Sequence, residues 1–182
     1  MKVTRWVLSG LLTGGSLFGY EQAFPQTPPG EIQVKELPAG VLLESNSDAS
    51  YFASSGKLFR PLFDYIDKRD IAMTTPVEAK VNPGEMYFWV AADEVDKVTG
   101  DTEQVRVVEV PERTVVSVGG RGSYSESNYR EKEEELFAWL AANEQWKVVG
   151  DPVAVYWNGP FTLWFLKKFE VMVEVEPVAV DS

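Results

Sequence analysis

The 182-residue chain contains no cysteine and no histidine. Without cysteine there is neither a disulfide nor a thiolate nucleophile. Without histidine there is no imidazole base or metal ligand, so Ser-His-Asp and Cys-His catalysis are both excluded. The redox compartment stays open, because a chain of this length is stable without bridges. No basic run is present either: 17 Lys and Arg are dispersed among 28 Asp and Glu, for a net charge of −11. A footprint for phosphate backbones is therefore missing, and no nucleic-acid partner is expected.

What is there is an ordinary globular composition, 45% apolar and 25% charged, which suits one domain with a real core. The first residues differ from the rest. Lys2 and Arg5 precede an uncharged stretch from Trp6 to Phe18, and Glu21, Gln22 and Ala23 follow. Positive, apolar, then polar is the order of a secretory signal, and thirteen uncharged residues are too few for the ~20 that cross a bilayer. Residues 1–23 are thus expected to be a signal or anchor segment, which makes the protein exported, either free or held at a membrane by this segment alone. Residues 24–30, with Pro25, Pro28 and Pro29, read as a stiff linker. The domain follows over 31–177, with 178–182 as a tail and a monomer as the expected state.

Within that domain the chain is written twice. Glu31 to Pro38 and Gln104 to Pro111 are similar strand-like stretches; Glu36 and Glu109, like Pro38 and Pro111, stand 73 apart. Each continues through a short turn into a second β-branched stretch, so each copy is expected to open as a hairpin. A helical pattern comes next, Leu58, Phe59, Leu62, Phe63 and Ile66 in the first copy and Leu136, Phe137, Leu140 and Ala141 in the second. Pro61 marks an expected kink, and Ser125 or Ser127 an N-cap. Met73 to Val81 and Val149 to Trp157 are again alike, and Met86 to Ala91 and Phe169 to Val175 close the units. The expected fold is α+β: two pseudo-two-fold-related ββαββ units forming a distorted, eight-stranded, mostly antiparallel barrel with two flanking helices.

Ile71-Ala72-Met73-Thr74-Thr75-Pro76-Val77, placed directly after the first helix, resembles the phrase that marks the SOUL haem-binding protein family, and Lys167-Lys168-Phe169-Glu170-Val171 resembles the opening of that family's last strand. The resemblance runs from about Glu31 to Pro177 and implies the same duplicated barrel. It also implies a non-enzymatic protein that holds haem or another tetrapyrrole, or a similar apolar small molecule, in a cleft between the first helix and the loop before the last strand. Carried over by position, Lys57, Phe59, Arg60 and Phe63 come from the helix and Phe161, Leu163 and Trp164 from the loop. Aromatic walls suit a flat macrocycle, and cations at its rim suit propionates. Iron would be held without His ligation, which leaves Tyr65, Met73 or another Tyr or Met as candidates.

Several alternatives stay open at this level. Phe59 and Phe63 read either as core or as cofactor walls, and Phe161 to Leu166 either as packing or as an exposed interaction loop on a partner or membrane. Glu170 points either out into solvent or into the barrel, where desolvation would raise its proton affinity. The inward case supports a second function: a small-molecule hydrolase or cationic-ligand binder of the gyrase-inhibitor-like barrel type, with Glu170 as base and Tyr65 or Tyr156 as acid or orienter.

Overall fold

The computed structural model describes residues 20–159 and 161–178. The segment read as an export signal lies, through residue 19, outside the described residues, as do Pro160 and the end of the tail. In chain order the elements are β1 (Glu21–Gln22), β2 (Ile32–Leu37), β3 (Gly40–Ser47), α1 (Tyr51–Asp67), β4 (Thr74–Thr75), β5 (Val77–Lys80), β6 (Gly84–Val90), β7 (Arg106–Val110), β8 (Arg113–Arg121), α2 (Glu126–Ala141), β9 (Trp146–Val148), β10 (Val153–Tyr156) and β11 (Lys168–Pro177), with 3-10 turns at Ala92–Lys97 and Trp164–Leu166. The α+β class, the eight antiparallel strands and the two flanking helices agree with the sequence reading.

The main sheet runs β2-β8-β11-β10-β5-β6-β3-β7, with β9 added on the end of β11. It is a curled half-barrel, and the expected hairpins do not form. β2 pairs with β8 of the other half, and β7 pairs with β3. The physical reason lies in the connections. A tight two-residue hairpin turn needs residues that accept positive φ, whereas Pro38-Ala39 and Pro111-Glu112 supply a proline with φ fixed near −65°. Each connection therefore carries the chain across the mouth of the half-barrel, and each half contributes an edge strand to the other.

Alternation on the strands divides the interior in two. Leu43, Phe88, Ala79, Ala154, Val171 and Val118 face the helices and join Leu58, Leu62, Tyr65, Ile66, Leu136 and Leu140 in the larger cluster. Residues of the other parity, including Leu42, Trp89, Val155 and Met172, form a second cluster on the opposite face. That second face is the inner one. Arg113 on β8 reaches Glu78 on β5 at 3.2 Å although β11 and β10 lie between them, a separation of roughly 14 Å in a flat sheet.

Three local expectations change. α1 continues through Pro61 as one helix, and its buried stripe is Leu58, Leu62, Tyr65 and Ile66. Phe59 and Phe63 lie outside the stripe, 39% and 45% exposed, because residues one position from Leu58 and Leu62 are rotated ~100° around the axis. Phe137 is exposed on α2 for the same reason, as is Ala141, while Ser125 caps the helix by accepting from the Asn128 N–H. The residues read as a linker lie against the body: Phe24 is buried in the second cluster, Pro29 bridges Gly119, and the Gly30 N–H donates to the Gly119 carbonyl at 2.9 Å.

Gly120 allows β8 to pass beneath the Phe169 ring, where an added Cβ would stand 2.5 Å from the nearest ring carbon. Gly120→Ala is expected to lower stability by about 1–3 kcal/mol, the usual range for overpacking, which urea unfolding would measure.

Candidate functional site

The inner face would be a plain apolar surface but for two carboxylates at its centre. Glu170 on β11 is fully buried, and both of its oxygens are saturated. Oε1 accepts from the Thr27 backbone N–H at 2.7 Å and from the Trp157 indole N–H at 2.8 Å; Oε2 accepts from Lys35 Nζ and from the Ser117 hydroxyl, both at 2.6 Å. Glu78 on β5 repeats the theme. Its Oε1 accepts from the Trp89 indole N–H at 2.7 Å, and Arg113 donates to Oε2 at 3.2 Å. Each carboxylate thus has one indole and one cation.

Between the two indoles stands the Phe24 ring, edge-on to Trp89 at 5.7 Å and to Trp157 at 5.5 Å, with Lys35 Nζ 5.0 Å from its centroid. A third buried acid, Glu44, accepts from Arg106 at 2.6 Å nearer the β7 edge. Burial lowers the pKa of Lys35, with the Glu170 charge opposing it. Burial likewise raises the pKa of Glu78 against the pull of Arg113 and Trp89.

The residues expected from sequence fall elsewhere. Glu170 points inward, so the outward reading is replaced, yet its four donors leave it no free oxygen with which to take a proton from a substrate. Tyr65 does not meet it: its hydroxyl donates to the Gly100 carbonyl at 2.9 Å and accepts from the Thr99 N–H, within the helix-side cluster. Tyr156 also belongs to that cluster, stacked on Tyr51 at 5.6 Å. Tyr65 and Tyr156 therefore stand across the sheet from Glu170.

On the helix-side exterior, Phe59 and Phe63 form a stacked pair, centroids 5.7 Å apart and planes at 17°, with Phe59 edge-on to Phe88. Lys57 and Arg60 are exposed on the same helix. The loop before β11 presents Phe161, 99% exposed, with Leu163, Trp164, Phe165 and Leu166 also exposed, and Lys167 Nζ lies 4.9 Å from the Tyr124 ring. Among the described residues, no aromatic pair or hydrogen bond joins this loop to the Phe59–Phe63 pair. Among the same residues, no group of three or more Asp, Glu, His or Cys is placed to hold a metal ion.

Sequence reasoning missed Glu78, Trp89, Trp157, Lys35, Arg113 and Phe24. They come from four strands, the residue after a fifth and the supposed linker, so their meeting is a matter of register between distant segments. The available signal was polar residues within otherwise apolar strands, Glu78 between Val77 and Ala79 and Ser117 between Val116 and Val118.

The family model described as SOUL heme-binding protein matches residues 20–174. No curated protein matches the sequence. Among solved structures, the C-terminal domain of EcmrR superposes with a TM-score of 0.66 at 18% identity, covering 81% of this chain and 98% of that one. EcmrR in a DNA complex gives 0.67 at 18% identity, and there the match covers 81% of this chain but only 58% of that one. A hydrolase from Listeria innocua gives 0.55 at 13% identity, covering 82% and 94%. At these identities the likeness is one of fold alone.

Glu170→Leu would leave Lys35 without its counter-charge, with only the Pro25 carbonyl as acceptor, and three further donors buried without one; it is expected to cost about 3–5 kcal/mol in urea unfolding, with Glu170→Gln costing less. Glu78 gives a pH signature. Because its folded pKa is raised, the native state binds the extra proton between the ordinary glutamate range and that raised value. Stability should therefore fall as pH rises through this window, and Glu78→Gln should remove that part of the slope in thermal unfolding.

Proposed function

Because this chain belongs to the SOUL heme-binding protein family, we propose that it is a non-enzymatic binder of haem or another tetrapyrrole, exported from the cytoplasm, and that its ligand lies on the exposed aromatic surface of α1. The observation that carries this reading is the Phe59–Phe63 pair. Two near-parallel rings lie in the open where a helix of this kind normally presents polar residues, and they form a platform for a flat apolar macrocycle. Lys57 and Arg60 supply cations for the ligand's carboxylates, against an overall charge of −11 that would otherwise repel them.

Phe161, Leu163 and Trp164 offer the second wall. Their exposure is what a surface awaiting an apolar partner would have. The residues fit the macrocycle better than they fit its metal. Asp64 is exposed beside the pair, and Tyr65 is buried with its hydroxyl committed to Gly100. Burial of the ring, with iron ligation secondary, is therefore the basis of the proposed affinity. A binder also accords with the saturation of Glu170, which supplies no base for a hydrolytic reaction.

Titration with haemin and with metal-free porphyrin, followed by the Soret band and by Trp quenching, tests this directly. One-to-one binding of both is expected, weakened at least tenfold, or roughly 1.4 kcal/mol, by Phe63→Ala combined with Trp164→Ala. Both side chains are exposed, so the variant should keep its fold. Equal binding by the variant, or binding of haemin alone, would sink the proposal.

A further inference from the structure

The inner face poses a separate question, because a half-barrel interior is most simply filled with apolar side chains. This one holds two buried carboxylate–cation pairs, which are seldom more stable than apolar packing of the same volume. It is also covered by a segment that is not part of the sheet. Residues 20–30 include Pro25, Pro28 and Pro29, which have no N–H to give a ladder. They attach through the two-residue β1–β4 bridge, through the Ala23 N–H on the Thr75 carbonyl at 2.8 Å, and through the contacts of Pro29 to Glu31 with Gly119.

The fit of this strap is incomplete. Gln26 Nε2 and Thr27 Oγ1 are buried without a hydrogen-bond partner, an arrangement that favours release of the segment to water. Its seating also depends on Gly119, where a Cβ would overlap the carbonyl oxygens of Pro28 and Thr27. The strap places three groups on the inner face: one aromatic ring between two indoles, one N–H on Glu170 Oε1, and the Pro25 carbonyl, which accepts from Lys35 Nζ at 3.0 Å.

We propose that the inner face is a second binding site, for a small neutral aromatic molecule carrying an N–H donor, and that residues 20–30 are its built-in occupant. Such a molecule replaces the Phe24 ring between Trp89 and Trp157 and the Thr27 N–H on Glu170, and the strap swings out. A neutral molecule is specified because Glu170 and Glu78 are already matched by Lys35 and Arg113, so an added cation would find no unneutralised charge there. This site faces away from α1 and does not rest on the tetrapyrrole reading.

The test uses the full chain, 15N-labelled, with benzimidazole as the probe and benzofuran as its counterpart lacking the N–H. The readouts are the indole N–H cross-peaks of Trp89 and Trp157 and the hydrogen exchange of the Thr27 amide. Benzimidazole is expected to move both indole peaks saturably, at least tenfold more tightly than benzofuran, and the Thr27 amide to exchange much faster than Val171 to Val173. Gly119→Ala, whose methyl would overlap the Pro28 and Thr27 carbonyls of the strap and leaves every donor to Glu170 in place, should tighten benzimidazole at least tenfold. The proposal is overturned if the Thr27 amide of the unaltered chain exchanges as slowly as Val171 to Val173 and neither indole peak moves, since Phe24 is then ordinary core. Equal affinity for the two probes overturns the N–H donor requirement.

Discussion

A carboxylate removed from water must be met by donors, and in this protein the charged donors for Glu78 and Glu170 come from strands that are not their neighbours. Arg113 crosses two strands to reach Glu78, and Lys35 crosses one to reach Glu170. Neither contact can be made on a flat sheet. The curl of the half-barrel and the neutralisation of its interior are thus one condition, and the two indoles complete it by filling the remaining acceptor positions. The short proline connections serve the same end, since they bring the two edges of the sheet within a few residues of each other.

The fold leaves two distinct surfaces for chemistry. On the outside, α1 and the loop before β11 each expose aromatic side chains. The inner one is buried, charge-matched and already filled. Membership of the SOUL family bears on the protein as a whole. Which face receives a ligand is decided by these surface properties, and they differ enough that one molecule would not suit both. A macrocycle with carboxylates needs area and accessible cations, while the inner cage has room for one ring.

Much of this architecture was legible in the chain itself. The repeat placed the strands, the apolar spacing placed both helices, and Met73 to Val77 pointed to the family. Strand pairing was not legible, because alternation fixes which residues share a face and says nothing of which strand lies alongside. Hence two strand-turn-strand stretches looked like hairpins. Phe59 and Phe63 were ambiguous because an apolar residue next to a buried stripe reads like part of it. Glu170 was ambiguous because Phe169 to Val173 is buried on both faces, so the run offers no polar side by which to orient it. Phe24 was hidden in a proline-rich context that normally signals a spacer.

The bond from the Thr27 N–H to Glu170 spans 143 positions. On the ribosome the strap is made early and its acceptor belongs to the last strand, β11, which also separates β8 from β10 in the finished sheet. Until that strand emerges, the inner face has neither its centre nor its cover, and the strap has nowhere to dock. Closure therefore waits for β11, and any molecule that enters the cage as β11 completes it competes with the protein's own strap before that segment has ever been seated.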